Sequence, residues 1–222
     1  MYTGVVSRID PSTNTIDKTV AVGPNPEEMV IVNKSLYVTN SDGNNYNAGY
    51  ANGKSVSKIS LSDFVEEKKI AVGLNPTKIT ADALGNVLVL CMGDYFATPA
   101  TVWKINAEDE ATSMNIPATI MDIKDNSLYV INAPYGAPSI TYTVYNTSSG
   151  AVEKENFVSA PVDAPAGIAV HSDGRIFITS YTLVGGFASY KTPGYVSEYS
   201  SDGTFVKKYD VGVGAVSMTF LK

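Results

Sequence analysis

Four stretches of this chain carry the side chains best suited to hold another molecule: residues 41–55, 92–101, 133–141 and 181–195. They contain Tyr46, Tyr50, Tyr95, Phe96, Tyr135, Tyr181, Phe187, Tyr190 and Tyr195, with Asn40, Asp42, Asn44, Asn45, Asp94 and Asn132 nearby. Aromatic faces set among amides and carboxylates suit a large, flat, partly polar ligand, which a ring can stack on and an amide can orient. A corrin or a glycan has that chemistry. The ligand-binding set read from the sequence is Asn40, Asp42, Tyr46, Tyr50, Tyr95, Phe96, Tyr135, Tyr181 and Tyr190. The alternative use of the same rings is to pack the long loops against one another.

Catalytic chemistry is poorly provided for. His171 is the sole histidine, and it sits in the turn His171-Ser172-Asp173-Gly174. That leaves no material for a histidine-based triad or a histidine-rich metal site in the long stretches. Neither Gly-x-Ser-x-Gly, His-Glu-x-x-His nor a phosphate-loop pattern occurs. Asn40-Ser41-Asp42-Gly43-Asn44 has some calcium-loop residues but neither the spacing nor the closing glutamate, and reads as a turn. A glycosidase needs two apposed carboxylates; Asp42 and Asp94 are candidates without any spacing that brings them together. Glu66-Glu67 reads as a solvated pair in a surface connection. The chain is therefore expected to be non-enzymatic, without cofactor or metal.

What must position these stretches is a repeat. Leu36-Tyr37-Val38-Thr39-Asn40 returns as Leu128-Tyr129-Val130-Ile131-Asn132, and more loosely as Val87-Leu88-Val89-Leu90-Cys91 and Ile176-Phe177-Ile178-Thr179-Ser180. The copies start roughly 40 to 50 residues apart, the period of a modular array. Ahead of each lies a segment opened by proline, at Pro26, Pro76, Pro117 and Pro165. Behind each comes a third strand, Val56-Ser-Lys-Ile-Ser, Val102-Trp-Lys-Ile-Asn, Tyr142-Thr-Val-Tyr-Asn or Val196-Ser-Glu-Tyr-Ser, and then a fourth. Val6-Ser-Arg-Ile-Asp is a fifth copy of the third strand. All are short, rich in Val, Ile, Tyr, Phe and Thr, and bounded by Gly, Pro, Asn and Asp. The best helix candidate, Ala107–Ala111, is shorter than a stable helix needs.

Four antiparallel strands per unit, radially repeated, describe a β-propeller. The expected fold is all-β, a single propeller domain with blades near 26–73, 76–116, 117–160 and 165–212. Residues 4–22 supply the third and fourth strands of a partial blade, and 214–222 a lone first strand. That count points to an N-terminal part lying outside the chain; a five-bladed ring with imperfect closure is the alternative. In such blades the link from second to third strand emerges on the same face as the link between blades. The four long stretches then share one face, where function concentrates, and His171 lies on the other.

Composition narrows the partners. The chain has 222 residues, 44% hydrophobic and 17% charged, with a net charge of −6. Without a Lys/Arg cluster, nucleic acid and anionic membrane are disfavoured. No apolar run approaches the ~20 residues of a membrane helix. Cys91 is the single cysteine, and its Val-Leu-Val-Leu setting marks it as a small buried hydrophobe. No signal peptide precedes Tyr2.

The run Val6-Ser-Arg-Ile-Asp-Pro-Ser-Thr-Asn-Thr-Ile, then Val22-Gly23-Pro24-Asn25-Pro26, then Tyr37-Val38-Thr39-Asn40 resembles the YVTN-repeat, YncE-like β-propellers. The stretch Thr39 to Val56, rich in Asn, Gly and Tyr, is similar to the surface-layer-type propeller lipoproteins of gut anaerobes. The resemblance covers essentially the whole chain. It implies an exported protein, at the cell surface or in the periplasm; some members capture a corrinoid (vitamin B12) for uptake, and the loop chemistry above keeps a glycan as the other candidate. It also implies an outer-membrane transporter or another surface protein as partner. Some members of the group are structural or adhesive surface proteins, which makes a protein–protein platform the alternative. Full members have seven blades, a lipoprotein signal and an anchoring cysteine; this chain is shorter and carries neither of the last two.

Overall fold

The computed structural model describes residues 4–136 and 139–220. Residues 137–138 of the stretch 133–141, and 221–222 of the C-terminal segment, lie outside the described residues. The protein is an all-β propeller fold built on four four-stranded antiparallel sheets. In chain order the strands are β1 (Gly4–Asp10), β2 (Thr15–Val22), β3 (Pro26–Val32), β4 (Ser35–Asn40), β5 (Ser55–Ser60), β6 (Glu66–Ala71), β7 (Pro76–Ala81), β8 (Val87–Cys91), β9 (Thr101–Ile105) and β10 (Ala111–Pro117). They continue with β11 (Ile120–Lys124), β12 (Ser127–Asn132), β13 (Thr141–Asn146), β14 (Val152–Glu155), β15 (Pro165–Val170), β16 (Ile176–Ser180), β17 (Leu183–Val184), β18 (Phe187–Ala188), β19 (Tyr195–Tyr199) and β20 (Phe205–Asp210). The complete blades are β3–β6, β7–β10, β11–β14 and β15-β16-β19-β20; β1 and β2 form a two-stranded ribbon.

The chain divides into two compact units, residues 1–118 and 119–222. The sequence reading expected a single domain. The division falls between β10 and β11, at a blade boundary.

Within the first unit, Leu36, Val38 and Ile59 pack with Val6, Val22 and Phe64. Tyr37 and Val56 point the other way, into a cluster with Ile79, Val87, Val89 and Ile105. The Leu-Tyr-Val-Thr-Asn strand is thus covered on both faces. This explains why Leu36, Tyr37 and Val38 are consecutive apolar residues rather than alternating with polar ones. In the second unit Ile131, Tyr142, Val144 and Phe157 meet Ile168, Ile178, Tyr195 and Tyr199. The outermost strands β6, β14 and β20 read EEKKIA, VEKE and FVKKYD and are largely exposed. Lysines on such edges discourage pairing with other chains.

The turns repeat as strictly as the strands. Each link from third to fourth strand places one residue in the left-handed region: Asn14 (φ 54°), Phe64 (φ 59°), Asp109 (φ 61°), Gly150 (φ 71°) and Gly203 (φ 90°). The position accepts Asn, Asp and Gly readily; Phe64 is held there by burial, with Arg8 over its ring at 5.5 Å. Ala107–Ala111 forms one of these turns and not a helix. Asp109 there accepts hydrogen bonds from Lys58 Nζ at 2.9 Å and from the Tyr37 hydroxyl at 3.3 Å, joining one blade to the next.

The Val-Gly-x-x-Pro links have a steric reason. A Cβ on Gly23 would stand 2.5 Å from the Asn40 side chain, and one on Gly73 would meet Trp103 Nε1 at 2.4 Å and Cys91 Cβ at 2.9 Å. The end of the second strand therefore presses directly on the incoming link. Cys91 at that position is buried, and burial pushes its thiol up to about 12. Between blades, carboxylates capture backbone N–H groups: Ile79 N donates to Glu28 Oε2 at 2.8 Å, and Val170 N to Asp122 Oδ2 at 2.7 Å. Inner strands of neighbouring blades do not share a ladder, so such donors need side-chain partners.

Residues 212–220 contain no strand, where a lone first strand was expected at 214–222. The segment runs against β15, so close that a Cβ on Gly167 would stand 2.1 Å from the Val216 carbonyl oxygen. Phe220 packs on His171 at 4.7 Å and Phe177 at 5.3 Å between ring centroids. The segment includes a turn at 213–214 and joins no ladder among the described residues.

Carboxylates in the tight turns are held below their ordinary range. The Ser200 hydroxyl, then the Thr204 N–H, draw the Asp202 carboxyl down to about 2; Ser12 does the same in direction for Asp10. A depressed folded-state value stabilises the fold above the unfolded value of 3.8 and is lost as pH falls through the folded one. Asp202→Asn is therefore expected to flatten part of the fall in melting temperature between pH ~4 and ~2. Thermal melts of both proteins at stepped pH check it, and parallel curves over that window count against it.

Candidate functional site

In the first unit the loop after β4 turns back at once onto the preceding link. Ser41 N donates to Asn25 O and Asp42 N to Pro24 O, each at 3.1 Å. This puts the long loop and the inter-blade link on one face. Asp42, with φ 55°, then gathers the loop's base: its Oδ2 accepts from Asn45 Nδ2 at 3.0 Å and Asn52 N at 2.9 Å. A short 3-10 segment, Gly43–Ala48, follows. Gly49 and Tyr50, at φ 63° and 55°, reverse the chain. Gly53 closes it, with room only for hydrogen, since a Cβ would stand 1.9 Å from the Ser41 carbonyl oxygen.

Two residues of the sequence-derived set are corrected by this geometry. Asn40 is 0% and Asp42 2% exposed. Asn40 Nδ2 donates to Ser55 Oγ at 3.1 Å and Ser57 Oγ at 3.0 Å, tying β4 to β5. Both side chains serve the loop's framework and do not face a ligand. A buried turn must satisfy its own donors, and these side chains do so.

The next loop is built on Asp94, whose Oδ1 accepts from Phe96 N at 2.9 Å and Thr98 N at 2.8 Å. The Thr98 and Phe96 N–H groups hold this carboxyl below the usual range. Gly93 and Tyr95, at φ 67° and 65°, make the loop tight enough to thrust its rings outward. Tyr50 and Tyr95 meet edge to face across the two loops at 6.3 Å. Partial burial, with Tyr95 and Asp94 beside it, raises the Tyr50 phenol above its ordinary value. Around this pair Tyr46 is exposed, and Phe96 is 95% exposed. Tyr46, Tyr50, Tyr95 and Phe96 thus occupy adjacent loops, and Phe96 makes almost no use of the fold for burial.

In the second unit Tyr181 N donates to Ala164 O at 3.0 Å, again setting loop against link. The loop contains a small hairpin, β17 with β18, reversed by Gly185 and Gly186 at φ 61° and 87°. Two successive positive φ values are the primed hairpin turn, and Gly-Gly between apolar pairs was its legible signal. Tyr181 and Tyr190 pack edge to face at 4.8 Å; Tyr190 and Phe187 are exposed. Tyr135 is 97% exposed. Tyr195 belongs to the core instead: its hydroxyl donates to Asp163 Oδ2 at 3.0 Å and accepts from Asp163 N at 3.1 Å.

His171 lies in the β15–β16 turn, its Nδ1 2.8 Å from Asp173 Oδ1 and its ring on Phe220. These are structural contacts, so His171→Asn is expected to leave ligand binding unchanged and to alter stability by no more than ~1 kcal/mol. Titration and a urea melt check this; lost binding in a folded variant would place the functional face on the turns.

No protein-family model and no curated protein matches the chain. Solved structures do. Hydrazine synthase of Kuenenia stuttgartiensis is 18% identical with a TM-score of 0.66, covering 96% of this chain and 61% of that one. A chain of the mitotic checkpoint complex is 10% identical with a TM-score of 0.60, covering 96% and 60%. A luciferin-regenerating enzyme is 10% identical with a TM-score of 0.56, covering 93% and 69%. At such identities the likeness is one of fold. The chain spans about 60% of the first two. Among the described residues, no helix is long and apolar enough to cross a membrane.

Proposed function

We propose that the chain is a non-enzymatic ligand-binding propeller of the YVTN-repeat, surface-layer type. In this reading it acts at the cell surface or in the periplasm, and holds a corrinoid or a glycan on its long-loop face. The observation that carries the reading is the Tyr50–Tyr95 contact across neighbouring loops, flanked by exposed Tyr46 and Phe96. An aromatic surface costs free energy in water unless something covers it, and here rigid turns hold it out. Flat faces of a corrin or of sugar rings match such a surface, and Asn44 and Asn45 beside it can hydrogen-bond to their polar rims. The buried Asp42, whose Oδ2 is taken up by Asn45 and Asn52, supports a binding role over a carboxylate-dependent hydrolase.

The fold also suits a protein–protein platform. The exposed Val5, Ile9, Ile16, Met29 and Ile31 favour that second reading. Calorimetric titration with cyanocobalamin and with a glycan panel separates the two. Saturable binding of either ligand supports capture for uptake. Absence of heat from every ligand, in a protein shown to be folded, moves the assignment to the platform.

A further inference from the structure

Two strands of the first unit have nearly the same sequence and different surroundings. β1 and β5 share the motif Val-Ser-Arg/Lys-Ile, with Val6, Ser7, Arg8 and Ile9 matching Val56, Ser57, Lys58 and Ile59. They pair with their outer neighbours in the same register: Val6 with Val20 and Arg8 with Lys18, as Val56 with Ile70 and Lys58 with Lys68. Both ladders shift directly after the basic residue. Yet β5 is paired on both edges, with β4 and β6, whereas among the described residues β1 pairs only with β2. Ile59 is 0% exposed and Ile9 61%.

The neighbouring inner strand shows the same contrast in exposure. Met29 on β3 stands opposite Val38, as Ile79 on β7 stands opposite Val89 and Ile168 on β15 opposite Ile178. Ile79 is 4% and Ile168 8% exposed, but Met29 is 54%. Ile79 is covered by a cluster that includes Tyr37, the tyrosine of the preceding blade's second strand. Beside Met29 there is instead a groove of about 210 Å³, lined by Val5, Val6, Ser7, Pro26, Glu28 and Met29 among others. An open backbone edge and the apolar side chains of Val5, Val6 and Met29 lie along the same groove, with Ser7, Glu27 and Glu28 beside them.

We propose that this groove takes an extended segment of the Leu-Tyr-Val-Thr-Asn type, which adds as a strand to the free edge of β1. The occupant is defined by the register of the complete blade. On β5, Ile59 faces Leu36, Lys58 faces Tyr37, Ser57 faces Val38 and Val56 faces Thr39. The incoming strand then runs antiparallel to β1, with Leu opposite Ile9, Tyr opposite Arg8, Val opposite Ser7 and Thr opposite Val6. Its tyrosine lies on Met29, as Tyr37 lies in the cluster around Ile79. Main-chain hydrogen bonds supply affinity and the alternate side chains supply selectivity, the logic of β-strand addition. An exposed strand edge of this kind is a ready template for such pairing.

A synthetic peptide with the sequence of residues 34–41, Lys-Ser-Leu-Tyr-Val-Thr-Asn-Ser, is the probe. Amide hydrogen exchange across Gly4–Asp10 is followed with increasing peptide, against a scrambled peptide of the same composition. Exchange at β1 is expected to slow at least tenfold with the first and not with the second. Met29→Lys, at an exposed site that leaves the core untouched, is expected to weaken the effect at least tenfold. Circular dichroism and a thermal melt confirm its fold. The proposal is overturned if millimolar peptide leaves β1 exchange unchanged, or if scrambled peptide or Met29→Lys behaves like the authentic pair. Protection that rises with protein concentration in the absence of peptide would name a second copy as the occupant and equally overturn it.

Discussion

Tyr199→Ala is expected to cost about 3–5 kcal/mol of folding stability, the range for emptying a large aromatic site in a packed core. Tyr199 is wholly buried on β19, in the cluster that holds Ile178, Phe157 and Tyr142. Phe205 meets its ring edge on at 6.0 Å. Its hydroxyl donates to the Ala160 carbonyl at 2.5 Å, so the side chain also pins the link that leads into β15. Truncation leaves a cavity and takes the hydroxyl donor away from the Ala160 carbonyl. Tyr199→Phe keeps the volume and loses only the hydrogen bond, so it should cost about 1 kcal/mol. Native folds have only ~5–15 kcal/mol in hand, so the alanine variant should melt far lower or fail to accumulate folded. Urea midpoints of the three proteins decide the matter. A loss below about 1.5 kcal/mol for alanine would mean that the core around β19 is looser than the burial indicates.

Replacing Tyr46, Tyr50, Tyr95 and Phe96 together by alanine is expected to weaken ligand binding at least tenfold while leaving the fold intact. Each ring stacked on a flat ligand contributes ~0.5–1.5 kcal/mol beyond its buried area, and ~1.4 kcal/mol is a factor of ten. Stability should change little, since Phe96, Tyr46 and Tyr95 are mostly exposed and the loops are held by Asp42 and Asp94. The check is titration of wild type and variant with whichever of cyanocobalamin or the glycans binds, together with thermal melts. Equal affinities in a folded variant would reject this face as the site. The experiment distinguishes this site from the strand-accepting groove, because the four rings do not line that groove.

The loop residues show where sequence reasoning reached its limit. Tyr46, Tyr95, Phe96, Tyr135 and Tyr190 were legible as surface aromatics because they sit between strands whose apolar positions are already accounted for. Asn40 and Asp42 were legible as unusual, but not in their role. An asparagine at a strand end has the same identity whether it faces solvent or a pair of serines on the adjacent strand. Tyr195 illustrates the same point, since its partner Asp163 is 32 positions away in the chain.

What the sequence determined by itself is the repeat and what the repeat entails. Period, strand composition and turn residues depend on neighbours within a few positions, so Leu36–Asn40 and its copies announce four-stranded units directly. The left-handed sites at Asn14, Asp109, Gly150 and Gly203 follow from the same local chemistry. Tertiary structure alone decided which face of each strand is covered and by what. Val-Ser-Arg-Ile at β1 and Val-Ser-Lys-Ile at β5 are nearly the same words. Ile59 is buried and Ile9 is bare because burial belongs to the sheet stacked alongside and not to the strand. Residues 214–220 resemble a first strand, yet they form none. A strand needs a partner to take its hydrogen bonds, and that partner is set by packing over long distances in the chain.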